Sequence, residues 1–182
     1  MRKSREEAAQ TRRRIVEAAA RQFRKNGIVA TGLNDLMKAA GLTHGGFYKH
    51  FASKDQLVAE ACADAVDAAI ASRGMEAQPT INAAVAAYLS TRHRDDPASG
   101  CPLAAIGSEL SRSDREAREA ATAGFVRLVD ILAGKAGTAD ARRRALVAAA
   151  TMIGAVTMSR IVIDAGLSAE IVSEVEKSLT EA

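Results

Sequence analysis

Residues 31 to 54 read Thr31-Gly-Leu-Asn-Asp-Leu-Met-Lys-Ala-Ala-Gly-Leu-Thr-His-Gly-Gly-Phe-Tyr-Lys-His-Phe-Ala-Ser-Lys54. Leu33, Leu36, Met37 and Ala40 recur at helical spacing and mark one buried face. Gly41 follows directly, where a helix end needs a residue that tolerates positive φ. Leu42 is placed to pack into the corner, and Thr43 to cap a second short helix. Two helices joined by so short a turn make a helix-turn-helix, whose second helix enters the DNA major groove.

Working outward, the rest of the chain reads as helix, because Ala is abundant and no stretch alternates with period two. Ser4-Arg-Glu-Glu7 has capping-box spacing and opens a first helix. Ile15, Ala19 and Phe23 stack on its face, and Asn26-Gly27 ends it. The second helix is expected over residues 32 to 40 and the third over 43 to 50. Ser53-Lys-Asp-Gln56 is a second capping box, opening a helix through Leu57, Val58, Ala61, Cys62 and Ala65 to about Arg73. Residues 74 to 79 read as a loop, 80 to 92 as one helix with Ile81, Val85 and Leu89 in register, and Asp95 to Gly100 as turn. Pro102 starts a helix to Leu110. Ser113-Asp-Arg-Glu116 is a third capping box, opening a helix to Ala133. After a break over 134 to 138, the longest helix runs from 139 to about 165, stopped by Gly166, and Ser168 caps a last one. The expectation is an all-α protein of about nine helices.

Composition narrows the function. The 182 residues are 48% hydrophobic and 26% charged, the balance of a folded chain rather than a disordered one. The longest apolar candidate, 145 to 158, is interrupted by Thr151, Gly154 and Thr157, and no run reaches the length of a bilayer span. The basic N-terminus has no apolar stretch behind it, and two cysteines suit a reducing cytoplasm, so a cytoplasmic location is expected. The net charge of +3 hides an asymmetry: residues 1 to 57 hold 12 basic and 5 acidic side chains, the remainder 13 and 17. A basic head on an acidic body suits a polyanion partner at the head.

The density of motif residues over positions 11 to 58 resembles the DNA-binding domain of TetR-type regulators. The residues that carry it are Thr11-Arg-Arg-Arg-Ile-Val-Glu-Ala-Ala19, Phe23, Gly27, Ala30-Thr31, Asp35-Leu36, Ala39-Ala-Gly-Leu-Thr43, Gly45, Phe47-Tyr-Lys-His-Phe51 and Ser53-Lys-Asp-Gln-Leu57. The resemblance implies residues 1 to 60 as a three-helix DNA-binding head and 61 to 182 as a helical ligand-binding and dimerisation domain. It further implies a homodimer whose last two long helices form a four-helix interface. Such a protein binds double-stranded operator DNA of near-palindromic sequence, most often as a repressor, and is released by a small-molecule effector.

Residue types in the head assign roles. Thr43 can offer a hydroxyl, and the helix start offers free N–H groups, to phosphate. His44 can donate to phosphate or a base edge, and Lys49 to phosphate or guanine. The resemblance adds phosphate contacts from Tyr48, Lys54 and Thr31. Phe47 and Phe51 read as core. Gly45 and Gly46 cost a helix roughly 1 kcal/mol each relative to Ala, offset where the bare backbone approaches the groove floor. Arg12, Arg13 and Arg14 add sequence-independent attraction.

The body offers less. Only Tyr88 and Phe125 supply aromatic rings there, so a pocket would be aliphatic, with Met75, Met152 and Met158 as candidate lining or ordinary core. Ala148, Ala149, Gly154 and Ala155, with Ile171, Val175 and Leu179, suit a helical dimer interface. Cys101, after a Ser-Gly turn and before Pro102, falls at a helix N-cap, where the positive helix end favours the reactive thiolate. It is either a ligand- or redox-sensing thiol, as in some TetR-type repressors, or a capping residue. Cys62 reads as core. His44 and His50 lack the further ligands a metal site needs. No phosphate-binding glycine loop and no nucleophilic triad is present, so neither catalysis nor a cofactor is expected. The competing classes are a non-specific architectural DNA-binding protein and an enzyme using the body pocket.

Overall fold

The computed structural model describes residues 5 to 78, 80 to 134 and 138 to 181, and the described residues hold nine α-helices and three short 3-10 segments. Ser4, the cap read for the first helix, lies outside them. Helix α1 (Arg5–Asn26) buries Ile15, Ala19 and Phe23 on one stripe. Gly27, at φ 88°, ends it, and its N–H donates to Phe23 O at 2.8 Å. Helix α2 (Leu33–Ala39) ends as its sequence requires. Gly41 sits at φ 69°, with Gly41 N–H on Lys38 O at 2.9 Å and Leu42 N–H on Met37 O at 2.8 Å. These two bonds form a Schellman motif, and Arg14 adds a bond from Nη2 to Ala40 O at 2.7 Å.

The next segment departs from expectation. His44–Lys49 is a 3-10 helix rather than an α-helix, and the Thr43 side chain makes no capping bond. Gly46 N–H reaches Thr43 O and His50 N–H reaches Phe47 O, both i to i+3. Two glycines remove the propensity that would sustain a fuller α-turn, and six residues tolerate the tighter winding. Helix α3 (Lys54–Ser72) opens at Ser53, whose Oγ accepts from Gln56 N at 3.0 Å. Gln56 Oε1 accepts in return from Ala52 N at 2.8 Å.

The expected single helix over 80 to 92 is two, α4 (Ile81–Tyr88) and α5 (Thr91–Asp95). Thr80 caps the first, accepting from Ala83 N at 3.2 Å, and Ser90 caps the second, accepting from His93 N at 3.4 Å. Helix α6 (Pro102–Leu110) has Cys101 at its N-cap and a kink at Ile106, where φ is −133°. Helix α7 (Arg115–Ala133) is capped by Asp114, not Ser113: Asp114 accepts from Ala117 N at 2.9 Å, and Ser113 Oγ donates to Glu109 O instead. Helix α8 (Ala139–Ile161) stops four residues before the expected 165. The connection is extended, and Asp164 caps α9 (Ala165–Thr180) by accepting from Leu167 N at 2.7 Å. Ser168 is buried, and its Oγ donates to Ser159 O at 2.6 Å. A carboxylate one turn upstream thus takes the capping position and frees the serine to tie α9 to α8.

Two cores share α3. One gathers Ile15, Phe23, Leu36, Phe47, Phe51 and Leu57 around the head. The other gathers Val66, Tyr88, Leu128, Val129, Met152 and Val156 in the body. Ile106 and Leu110 of α6 join the head core, while Ala104 joins the body core. Where α3 crosses α7, Gly124 lies against Val66; a Cβ there would come within 2.6 Å of Val66 Cγ2. Helix α8 is long and apolar enough, by length and composition, to cross a bilayer, although no uninterrupted apolar run was expected. Its buried face, with Ala145, Ala149, Met152 and Val156, packs in the body core.

Candidate DNA interface and body cavity

The head gathers most of the expected contact residues on one exposed ridge. Thr43, His44, Gly45, Tyr48 and Lys49 are all exposed, and Gly46 is half-buried. Tyr48 is 68% exposed although it sits next to Phe47, which is fully buried. Phe47 anchors the ridge: its ring stacks on Phe51 at 5.6 Å and takes the Tyr48 ring edge-on at 5.1 Å. A Cβ on Gly45 would meet nothing within 4 Å, whereas one on Gly46 would lie 3.4 Å from Met37 Cε. Gly45 is therefore free of packing demands, and Gly46 faces α2.

Thr31 and Lys54 lie apart from this ridge. Thr31 is buried, and its hydroxyl donates to Gly27 O at 2.5 Å. Lys54 Nζ donates to Ile28 O at 2.6 Å and lies 5.9 Å from the centre of the Phe23 ring. Both brace the α1–α2 loop. Arg12 is also committed, gripping both carboxylate oxygens of Glu60 at 2.5 and 2.7 Å and stacking 4.1 Å over Phe51.

The same loop is held from the body. Glu109, near the end of α6, accepts from Ile28 N at 2.6 Å and Val29 N at 3.0 Å through one oxygen. Glu109 comes so close that a Cβ on Gly27 would fall 2.6 Å from its Oε1.

At the other end of α6, Cys101 is buried in a polar cluster that sequence reading missed. His93 is fully buried, and its Nδ1 lies 2.7 Å from Tyr88 O. Its Nε2 accepts from Cys101 N at 2.9 Å, which fixes Nδ1 as the protonated nitrogen. Burial, together with the Arg73 charge, pushes the imidazole pKa down to about 3. Arg160 of α8 donates to His93 O at 2.5 Å and Arg94 O at 3.0 Å. Arg24 of α1 donates to Gly100 O at 2.7 Å. Gly100 is closely packed here: a Cβ would lie 3.0 Å from both Arg160 Nη2 and His93 Cδ2, and the neighbours would have to shift by a few tenths of an ångström.

Against this cluster lies a cavity lined by Arg73, Tyr88 and Cys101 among Val66, Ile70, Met75, Leu103 and Leu128. Its volume is about 10 Å³, room for roughly one water molecule. Tyr88 OH, Arg73 Nε and Arg160 Nη1 are buried without a hydrogen-bond partner. Burial, reinforced by the neighbouring Cys101, raises the Tyr88 pKa and keeps the phenol neutral. Cys62 lies in the head core, and burial pushes its thiol up to about 12, so it is inert packing. Of the three methionines considered, Met75 lines the cavity, Met152 is core, and Met158 is exposed. No cluster of three or more potential metal ligands occurs among the described residues.

Residues 15 to 61 match the profile described as bacterial regulatory proteins, tetR family. Residues 75 to 166, half of the chain, match the C-terminal domain of LmrA/YxaF-like transcriptional regulators. The chain belongs to the TetR family of regulators. That membership sets it among transcriptional regulators rather than enzymes. The curated relatives align through the head: TtgR, an HTH-type transcriptional regulator of Pseudomonas putida, is 47% identical over 58 residues, 32% of this chain and 28% of TtgR. AcrR of Shigella flexneri is 42% identical over 59 residues, covering 32% of this chain and 27% of AcrR. The alignments thus span under a third of these TetR-family relatives. Whole-chain likeness comes from solved structures. A TetR regulator from Chloroflexus aurantiacus superposes with a TM-score of 0.74 at 26% identity, covering 96% of both chains. Reduced NemR of E. coli gives 0.77 at 19% identity, over 94% of this chain and 96% of NemR, and so shares the fold.

Proposed function

We propose that this TetR-family protein is a repressor that binds a near-palindromic operator as a homodimer and is released by a small molecule reaching the body. The observation that carries the reading is the exposed ridge of His44, Tyr48 and Lys49, held out by the buried Phe47, within the segment that matches the family. Tyr48 and Lys49 take phosphate, His44 and Lys49 read base edges, and Thr43 and the bare backbone at Gly45 approach the groove closely. Gly46 fits the ridge against α2, and Thr31 and Lys54 position the loop behind it.

A stripe on α8 supports the dimer. Val147, Thr151, Gly154, Met158 and Ile161 are all exposed at alternating spacings of four and three, and fully exposed Ile163, with the partly exposed Leu167, extends the stripe. That is the period of a helix–helix seam. Ala148, Ala149 and Ala155 face inward instead, and Ile171, Val175 and Leu179 pack on the body core. Of the residues that the sequence picked out for the interface, Gly154 falls on this stripe and the others lie off it.

The effector reaches the head by two routes, α3, which carries residues of both cores, and α6, which runs from Cys101 to the Glu109 bracket. Cys101 is a candidate point of electrophile attack because it lines the body cavity at the N-cap of α6.

Footprinting on DNA upstream of the protein's own gene tests the operator reading. A bounded, dyad-symmetric site is expected; uniform protection would instead indicate architectural binding. The double variant Tyr48→Ala, Lys49→Ala is expected to lose operator binding while remaining a dimer, and unchanged affinity would refute the ridge assignment. For Cys101, treatment with a thiol-reactive quinone releases DNA from the wild type but not from Cys101→Ser; equal release ends the sensor reading.

A further inference from the structure

We infer that the body cavity binds a small aliphatic carboxylate, its head on Arg73 and Tyr88 and its tail against Val66, Ile70, Met75, Leu103 and Leu128. This rests on the reading above that the body takes an effector, and names the effector's chemistry.

Two groups that line the cavity are buried donors without a well-formed hydrogen bond. Tyr88 is 2% exposed and its hydroxyl is unpartnered; so is Arg73 Nε. Leaving such a group unsatisfied costs about 1–3 kcal/mol. A guanidinium only donates, and the Tyr88 hydroxyl, beside the weakly accepting sulfur of Cys101, can give its proton to a stronger acceptor. The occupant that relieves both is therefore an acceptor.

Charge makes it an anion. Arg73 lines the cavity, Arg24 and Arg160 add positive charge behind Cys101, and no carboxylate lines it. The acidic groups that act on these arginines, Asp64 and Asp96, lie outside it. A planar carboxylate matches the guanidinium fork. The remaining wall is aliphatic, with no ring besides Tyr88. Because the cavity holds about 10 Å³, a tail of several carbons must push α3, α7 and α6 apart. That displacement is the start of the signal.

The test is a DNA-free titration of the full chain with acetate, butyrate, hexanoate and octanoate, against hexanol and hexylamine, read by calorimetry and thermal shift. A member of the carboxylate series is expected to bind saturably and raise the Tm, while the alcohol and the amine do not. Arg73→Gln and Tyr88→Phe, with unchanged circular dichroism, should each weaken that binding, the arginine change by about tenfold or more, with Arg73→Lys restoring part of it. Equal binding of hexanoate and hexanol, no binding by any carboxylate, or wild-type affinity in both variants overturns the inference. A carboxylate that binds with these dependences yet leaves an operator complex intact would uphold the site and sink the effector reading.

Discussion

His93 is neutral in the fold because it is fully buried between Tyr88, Cys101 and three arginines. With its pKa near 3 in the fold and near 6.5 when unfolded, only the unfolded chain binds this proton between those values. Stability from this residue is complete above about pH 6.5. It falls as the pH drops toward 3, by up to about 1.4 kcal/mol per pH unit. Urea denaturation between pH 7 and 4 should show that slope, and a His93→Gln variant should lose it. Gly45 gives a residue prediction with two opposed readouts. Its Cβ position is open, so Gly45→Ala should stabilise the fold by a few tenths to about 1 kcal/mol. If the bare backbone lies against the groove, the same change weakens operator binding. Gains in both Tm and affinity would remove the close-approach role. The sequence marked Gly45 and left His93 unmarked for a physical reason. Gly45 belongs to a local pattern, whereas the His93 cluster is tied together by hydrogen bonds that span up to 76 positions.

Among the elements, the helix starts separate what local pattern can and cannot decide. Ser53 was legible as a cap and does cap, while Thr80, read as the first residue of a helix, is its cap. At residues 113–114 and 164–168 the sequence offers two residues able to cap, and the aspartate takes the place each time. Ser168 is then held by a tertiary bond to Ser159 that no local rule reveals. Asp164→Ala and Asp114→Ala should each cost about 1 kcal/mol in thermal or urea denaturation. An Asp164→Ala loss confined to a few tenths would show that the Ser168–Ser159 bond alone fixes the start of α9. The split of 80 to 92 into two helices has the same origin: the His93 ring is drawn inward to Tyr88 O, and Ser90 restarts the winding.

For the whole molecule, the exposed α8 stripe predicts the assembly. Met158→Glu with Ile161→Glu should shift the solution mass from dimer to monomer at micromolar concentration, with helical content preserved, since both side chains are exposed in the single chain. An unchanged mass by light scattering would move the seam elsewhere. The head was legible almost residue by residue because its turns and anchors are local. The body was legible only as helices, because a cavity is defined by side chains from α3, α4, α6 and α7 that meet only on folding. Helix α6 joins the two parts, with one end at the cavity, a kink at Ile106 and Glu109 on the head's loop. Its consequence is reciprocity. A ligand that weakens operator binding through α6 by some factor must itself be weakened by the operator by that same factor. Protein already seated on DNA would then be the least sensitive fraction of the population, and induction would begin with the unbound molecules. Measured without DNA, the ligand's affinity would understate the dose at which genes respond.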